Sequence, residues 1–123
     1  MKKFNELGYV FDQQGPNYKF YRNGEIIAEA DYWLENGDYV MAVEVKTEPS
    51  TDDINEHLKR IEIIRKCMDK RRDGRKIVGC VAGGIYAKNV LEYVQKMGLY
   101  ALVLSGERFK IADMPPWFKA REW

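Results

Sequence analysis

Glu29, Asp31, Glu44 and Lys46 are the residues whose types and spacing could do chemistry. They fall in two apolar-rich runs, Glu25 to Leu34 and Asp38 to Lys46, separated by Asn36-Gly37. Asn-Gly between alternating runs predicts a two-residue hairpin turn. That turn would pair Glu35 with Asp38, set Asp31 opposite Ala42, and set Glu29 opposite Glu44. Alternate residues of a strand share a face. One face would then carry Ile27, Glu29, Asp31 and Trp33 with Val40, Ala42, Glu44 and Lys46. The other, Ile26, Ala28, Ala30, Tyr32 and Leu34 with Tyr39, Met41, Val43 and Val45, is apolar and should pack on a helix. Three carboxylates beside one lysine repel one another across a sheet. They call for a neutralising partner or for raised carboxyl pKa values. A hard divalent cation such as Mg²⁺ suits them, because it takes oxygen ligands and keeps several waters. The alternative is a solvent-facing sheet where water screens the charges. The neighbouring Val40 and Ala42 argue for at least partial cover.

Other chemistry-bearing residues are sparse. His57 is the single histidine and sits one residue off an apolar stripe, which suits a surface or half-buried position. Gly83-Gly84 could cradle phosphate between a strand and a helix. No Gly-Lys-Ser/Thr follows it, so it reads as a tight turn. Cys67 and Cys80 have no metal-ligand spacing and read as buried thiols of a reduced protein. Tyr18, Phe20, Tyr21, Tyr32 and Trp33 could stack on bases, although strand aromatics more often pack together. No Gly-x-Ser-x-Gly nucleophile motif is present.

The elements that must position these residues follow from periodicity. Phe4 to Val10 suits a helical turn leading into a strand. Tyr18 to Tyr21 predicts a first strand, and Asn23-Gly24 turns it into Glu25 to Leu34. The three strands make an antiparallel meander. Pro49 to Asp53 breaks the sheet, and Ser50, Thr51 or Asp52 can cap a helix. Ile54, Leu58, Ile61, Ile64 and Met68 form its apolar stripe, and Gly74 should end it after about Asp73. Ile77 to Val81 and Leu99 to Leu104 read as buried strands, parallel neighbours in one sheet. Between them Val90, Leu91, Val94 and Met97 mark a second helix ended by Gly98. Arg108 to Ile111 suits an edge strand. Trp117 to Trp123 is a tail that must pack or fray. The order is β-β-β-α-β-α-β-β, one α/β domain over residues 1–123.

The 123 residues are 46% hydrophobic and 32% charged, ordinary values for a globular chain. They exclude disorder, collagen and fibrous coil. No apolar run reaches the roughly 20 residues that a membrane span requires, and the N-terminus does not read as a signal peptide. The expectation is a cytoplasmic protein with no membrane partner. The net charge is +1, but its distribution is uneven. Glu25 to Glu56 holds ten acids and one base, and Lys59 to Lys76 holds nine bases and three acids. The basic run, with Lys59, Arg60, Arg65 and Lys66 at its head, is either a solvated helix face or a track for a nucleic-acid backbone.

Asp31, twelve intervening residues, then Glu44-Val45-Lys46 resembles the motif of the PD-(D/E)XK nuclease superfamily. The context is similar too: the Asp on one strand, Glu-x-Lys ending its partner, an amphipathic basic helix next, then a buried strand. Residues 1–82 resemble the restriction-endonuclease-like α-β-β-β-α-β core. The region from Ile85 to Trp123 looks like small nuclease-like domains carrying that core. Ala30 stands where the namesake proline would be, and the first core helix is short or missing, with Glu6 its sole acidic candidate. The chain therefore reads as a domain cut or derived from a longer protein. The resemblance implies that Asp31 and Glu44 hold Mg²⁺, or Mn²⁺ in its place. The backbone carbonyl of Val45 would be a third ligand, and Glu29 an outer ligand or a ligand to a second metal. It implies that Lys46 orients or activates a water, and that the reaction is phosphodiester hydrolysis, of DNA first among substrates. A homodimer is compatible with such a domain. The alternatives are a module of the same fold that has lost activity and binds nucleic acid or protein, and an accessory domain whose charged hairpin is only surface.

Overall fold

Asn23 and Gly24 both take positive φ, 51° and 81°, the twisted two-residue turn that joins β1 (Gln13–Arg22) to β2 (Glu25–Glu35). The computed structural model describes residues 2–123, with side chains from Phe4 onward. A single helical turn, α1 (Lys2–Asn5), precedes β1. After β2 come β3 (Tyr39–Lys46), α2 (Thr51–Lys70), β4 (Lys76–Gly83), α3 (Lys88–Lys96), β5 (Tyr100–Ser105) and β6 (Arg108–Ile111). The six strands form one mixed sheet in sequence order. β1, β2 and β3 are antiparallel, β3, β4 and β5 are parallel, and β6 returns antiparallel to β5. The meander and the parallel pair therefore match the expectation from periodicity. β1 is longer than its aromatic centre suggested, and it carries Pro16 on the sheet edge, where a missing N–H is tolerated.

The second hairpin departs from the expected register. Asn36 Oδ1 accepts the N–H groups of Asp38 and Tyr39 at 2.8 and 2.7 Å. That side-chain cap widens the connection, so Glu35 pairs with Val40 and Tyr32 with Val43. The shift is two residues, which leaves every side chain on its face but changes its neighbour. Pairing of β2 with β3 covers only Tyr32–Glu35 against Val40–Val43. Beyond Tyr32 the two strands part. Along β2 the alternation also breaks there. Ala28 and Ala30 pack in the same cluster as Trp33, while Leu34 belongs to the opposite one. Asn17, between the β1 partners of Tyr32 and Ala30, takes a φ of 52° and bends the edge strand at the same level.

The two faces of the sheet have different cover. Trp33, Val40, Ala42, Ile77, Val81 and Ala101 pack with Ile54, Ile61, Ile64 and Met68 of α2 and with Val90 and Val94 of α3. The helices thus cover the Val40/Ala42 face, not the Met41/Val43 face expected to take one. Leu34, Met41, Val43, Val78, Cys80 and Tyr100 lie under Phe4, Tyr9 and Phe118 from the two ends of the chain. This aromatic lid had no helical periodicity to announce it.

α2 starts as its sequence demands. Ser50 Oγ accepts the Asp53 N–H at 3.1 Å and Asp53 accepts the Ser50 N–H at 2.9 Å, a complete capping box. It ends earlier than Gly74. Arg72 takes the left-handed conformation at φ 60°, and the Asp73 N–H reaches back to the Met68 carbonyl at 2.8 Å. Arg65 makes this possible, because its guanidinium donates to the carbonyls of Asp73, Arg75 and Trp123. The tail packs: Ile77 and Trp123 exchange both backbone hydrogen bonds, at 2.9 and 3.0 Å.

Candidate functional site

Asp31 and Glu44 stand at the fork where β2 leaves β3. Extending the hairpin register by one residue sets Asp31, not Glu29, across from Glu44. Asp31 Oδ2 accepts the Val45 N–H at 2.9 Å, a group that unpaired β3 would otherwise leave open. Glu44 is 5% exposed. Its carboxylate meets the Arg60 guanidinium on one side and Lys46 Nζ at 3.9 Å on the other. Lys46 Nζ is also 3.9 Å from Asp53 Oδ1 at the start of α2. The hairpin fork, the end of β3 and the first turns of α2 thus converge on one cluster.

Burial, then the adjacent Asp31 carboxyl, pushes the Glu44 pKa from 4.5 up to about 7, against the pull of Arg60 and Lys46. Behind Glu44 lies His57, fully buried rather than half-exposed. Its Nε2 donates to the Ala42 carbonyl at 3.1 Å, which leaves Nδ1 as an acceptor, 3.3 Å from Arg60 Nη1. Burial holds its pKa down at about 4, so the ring is neutral at physiological pH. The sequence contained a signal for this: Ile54, His57, Ile61, Ile64 and Met68 are spaced three, four, three and four, so His57 lies on the apolar stripe itself.

Of the residues expected at the site, Asp31, Glu44 and Lys46 come together, and Val45 enters through its N–H. No hydrogen bond or ion pair links Glu29 to this cluster among the described residues. Its backbone pairs instead with Lys19 on the edge strand. The four cations expected to track a nucleic acid divide. Arg60 faces Glu44, and Arg65 is spent on the carbonyls beyond α2 and on Asp69. Lys59 is exposed, 3.9 Å from Glu56, and Lys66 is exposed. Among the described residues no group of three or more His, Cys, Asp or Glu side chains makes a metal-ligand set. What the cluster offers a cation is two carboxylates and nearby backbone, hard oxygen donors throughout. That donor set fits Mg²⁺, which commonly binds through one or two carboxylates and retains waters. No family model, curated protein or solved structure matches the chain.

Proposed function

We propose that this chain is a Mg²⁺-dependent nuclease with a restriction-endonuclease-like, PD-(D/E)XK core, hydrolysing phosphodiester bonds of DNA. The observation that carries the reading is the meeting of Asp31, Glu44 and Lys46 at the β2–β3 fork. The motif spacing and the β-β-β-α-β order support it. Asp31 and Glu44 would hold the ion, with the Val45 carbonyl beside them. Once bound, the metal would offset charge on the scissile phosphate and acidify a water. Lys46 is 45% exposed, so its ammonium can reach a phosphate from solvent while Glu44 and Asp53 hold its place. It would orient the attacking water and add positive charge. The Val45 N–H fixes the Asp31 carboxylate, which limits the rearrangement needed on binding. Glu29 would act only as an outer group. Two buried cysteine side chains, Cys67 and Cys80, suit a reducing, cytoplasmic setting. Among the described residues no helix is long and apolar enough to cross a membrane. A homodimer would bring two such sites to one duplex.

A second reading has its own support. Arg60 pairs with Glu44 within the protein, and among the described residues no third carboxylate joins Asp31 and Glu44 in a metal-ligand set. A nuclease-fold module that binds nucleic acid or protein without cutting would look the same. Incubation with plasmid, single-stranded and branched DNA and with RNA, with Mg²⁺ or Mn²⁺ and with chelator, separates the two. Metal-dependent cleavage that disappears with chelator supports the nuclease. Pure, folded, metal-supplied protein that cuts none of them supports the binding module.

A further inference from the structure

The Arg60 guanidinium is aimed at the carboxylate pair by two acceptors. Glu44 Oε2 takes one of its N–H groups, and the His57 Nδ1 lone pair lies 3.3 Å from the same nitrogen. His57 can accept there only because the Ala42 carbonyl fixes the proton on Nε2. Asp31 is restrained separately by the Val45 N–H, so Glu44 is the carboxylate whose charge Arg60 meets. The arginine side chain is 28% exposed against 7% for Glu44, so it is the partner able to leave toward solvent. A dication on Glu44 would stand within a few ångströms of the guanidinium, and two positive charges at that separation repel strongly in a half-buried site. Arg60 engages Oε2 and Lys46 Nζ stands 3.9 Å from Oε1, so both oxygens of Glu44 already face a cation and a dication must compete with the guanidinium for Oε2.

We propose that Arg60 is the internal counter-ion of the cation site, and that a divalent cation gains Glu44 only by displacing it. The inference rests on the metal-site reading above. In the metal-free protein Arg60 lets Glu44 stay buried beside Asp31 with its charge compensated. When the cation arrives, the guanidinium turns off Glu44 and His57 loses its donor. Lys46, which is 3.9 Å from both Glu44 and Asp53, keeps its second carboxylate throughout.

The test is Mn²⁺ binding by the full chain without nucleic acid, measured by isothermal titration and by the spin resonance of free Mn²⁺. Arg60→Gln should bind about tenfold more tightly than wild type, in the range of ordinary coupling between linked sites, and Glu44→Gln should lose binding. Equal or weaker binding by Arg60→Gln, with Glu44→Gln still defective, would overturn the counter-ion role and leave the metal site standing. No saturable binding by wild type or Arg60→Gln would overturn the metal site and the inference with it. A second measurement is read on wild type, so it does not depend on Arg60→Gln folding. The Arg60 Nε–H resonance, assigned by its loss in Arg60→Lys, should shift and exchange faster as Mg²⁺ saturates. A resonance unchanged at saturation would overturn the displacement.

Discussion

Lys46 and the two carboxylates differ in what each can lose. Lysine is not a Mg²⁺ ligand, so Lys46→Ala should leave cation affinity within about threefold of wild type while lowering turnover by about a hundredfold or more, the usual scale of a lost proton-transfer or charge-stabilising group. Asp31→Asn and Glu44→Gln should lose both properties. Metal titration beside cleavage of a labelled DNA reads the difference. Carboxylate variants that cut like wild type would place the active site elsewhere. The buried pair Glu44 and His57 also predicts a pH response of the metal-free fold. Glu44 is raised from 4.5 to about 7, so the stability it contributes is full below pH 4.5 and is lost as pH rises toward 7. His57 is lowered from 6.5 to about 4, so its contribution is full above pH 6.5 and is lost as pH falls toward 4. Over the shared window the two slopes oppose, and wild type in chelator should unfold with little pH dependence from this pair. Glu44→Gln leaves His57 alone and should gain stability from pH 4 to 6.5, by up to about 3 kcal/mol. Urea unfolding across that range checks it, and a Glu44→Gln profile as flat as wild type would contradict both shifts.

The elements carry the site through packing that the sequence revealed unevenly. The Asn-Gly turn at 23–24, the Ser50 cap and the α2 stripe were legible, because each depends on nearest neighbours along the chain. That Asp31, Glu44 and Lys46 would share one neighbourhood was legible from strand alternation. The register of the second hairpin was not: the Asn36 side chain bonds to two backbone N–H groups and adds two residues to the loop, a choice that Asn-Gly alone does not fix. That displacement is what brings Asp31 rather than Glu29 to Glu44. The end of α2 was also hidden, since it depends on Arg65 reaching carbonyls from Asp73 to Trp123, contacts distant in sequence. Arg65→Ala should therefore cost about 1.5–3 kcal/mol by leaving those carbonyls without a charged donor, measured by denaturant unfolding. Gly79 sets how closely α2 rides on β4. A Cβ built there would lie 2.4 Å from Leu99 Cδ2 and 2.8 Å from Ile61 Cδ1. Gly79→Ala should destabilise by about 1–3 kcal/mol through overpacking, and a neutral result would mean that both side chains move aside freely.

Across the whole molecule the charge segregation takes on a direction. α2 is 20 residues long, which is about 30 Å of helix. Its first turns hold Asp52 and Asp53 beside the carboxylate fork, and its far end releases Lys66, Lys70, Arg71 and Arg72 to solvent. Arg65 and Arg75 at that end are engaged by Asp69, Asp73 and backbone carbonyls, so they are not the groups to test. Arg71 also lies over the Phe20 ring at 5.1 Å, which ties the β1–β2 hairpin to the same basic end. A polyanion that meets the fork would be repelled by the acidic first turns of α2 and attracted by its last turn. If DNA is the substrate, as proposed, its backbone should therefore run along the helix toward Arg72. Replacing Lys66, Lys70 and Arg72 together by Gln spares Arg71 and its ring contact. The triple variant should bind DNA more weakly, with the slope of log affinity against log salt reduced by about one for each phosphate contact removed. Mn²⁺ affinity should stay as in wild type, because none of the three side chains reaches Glu44. Binding measured by fluorescence anisotropy over a range of salt gives both quantities. An unchanged slope would mean that the basic end of α2 is only a solvated face, and that any nucleic acid reaches Asp31 and Glu44 across another surface.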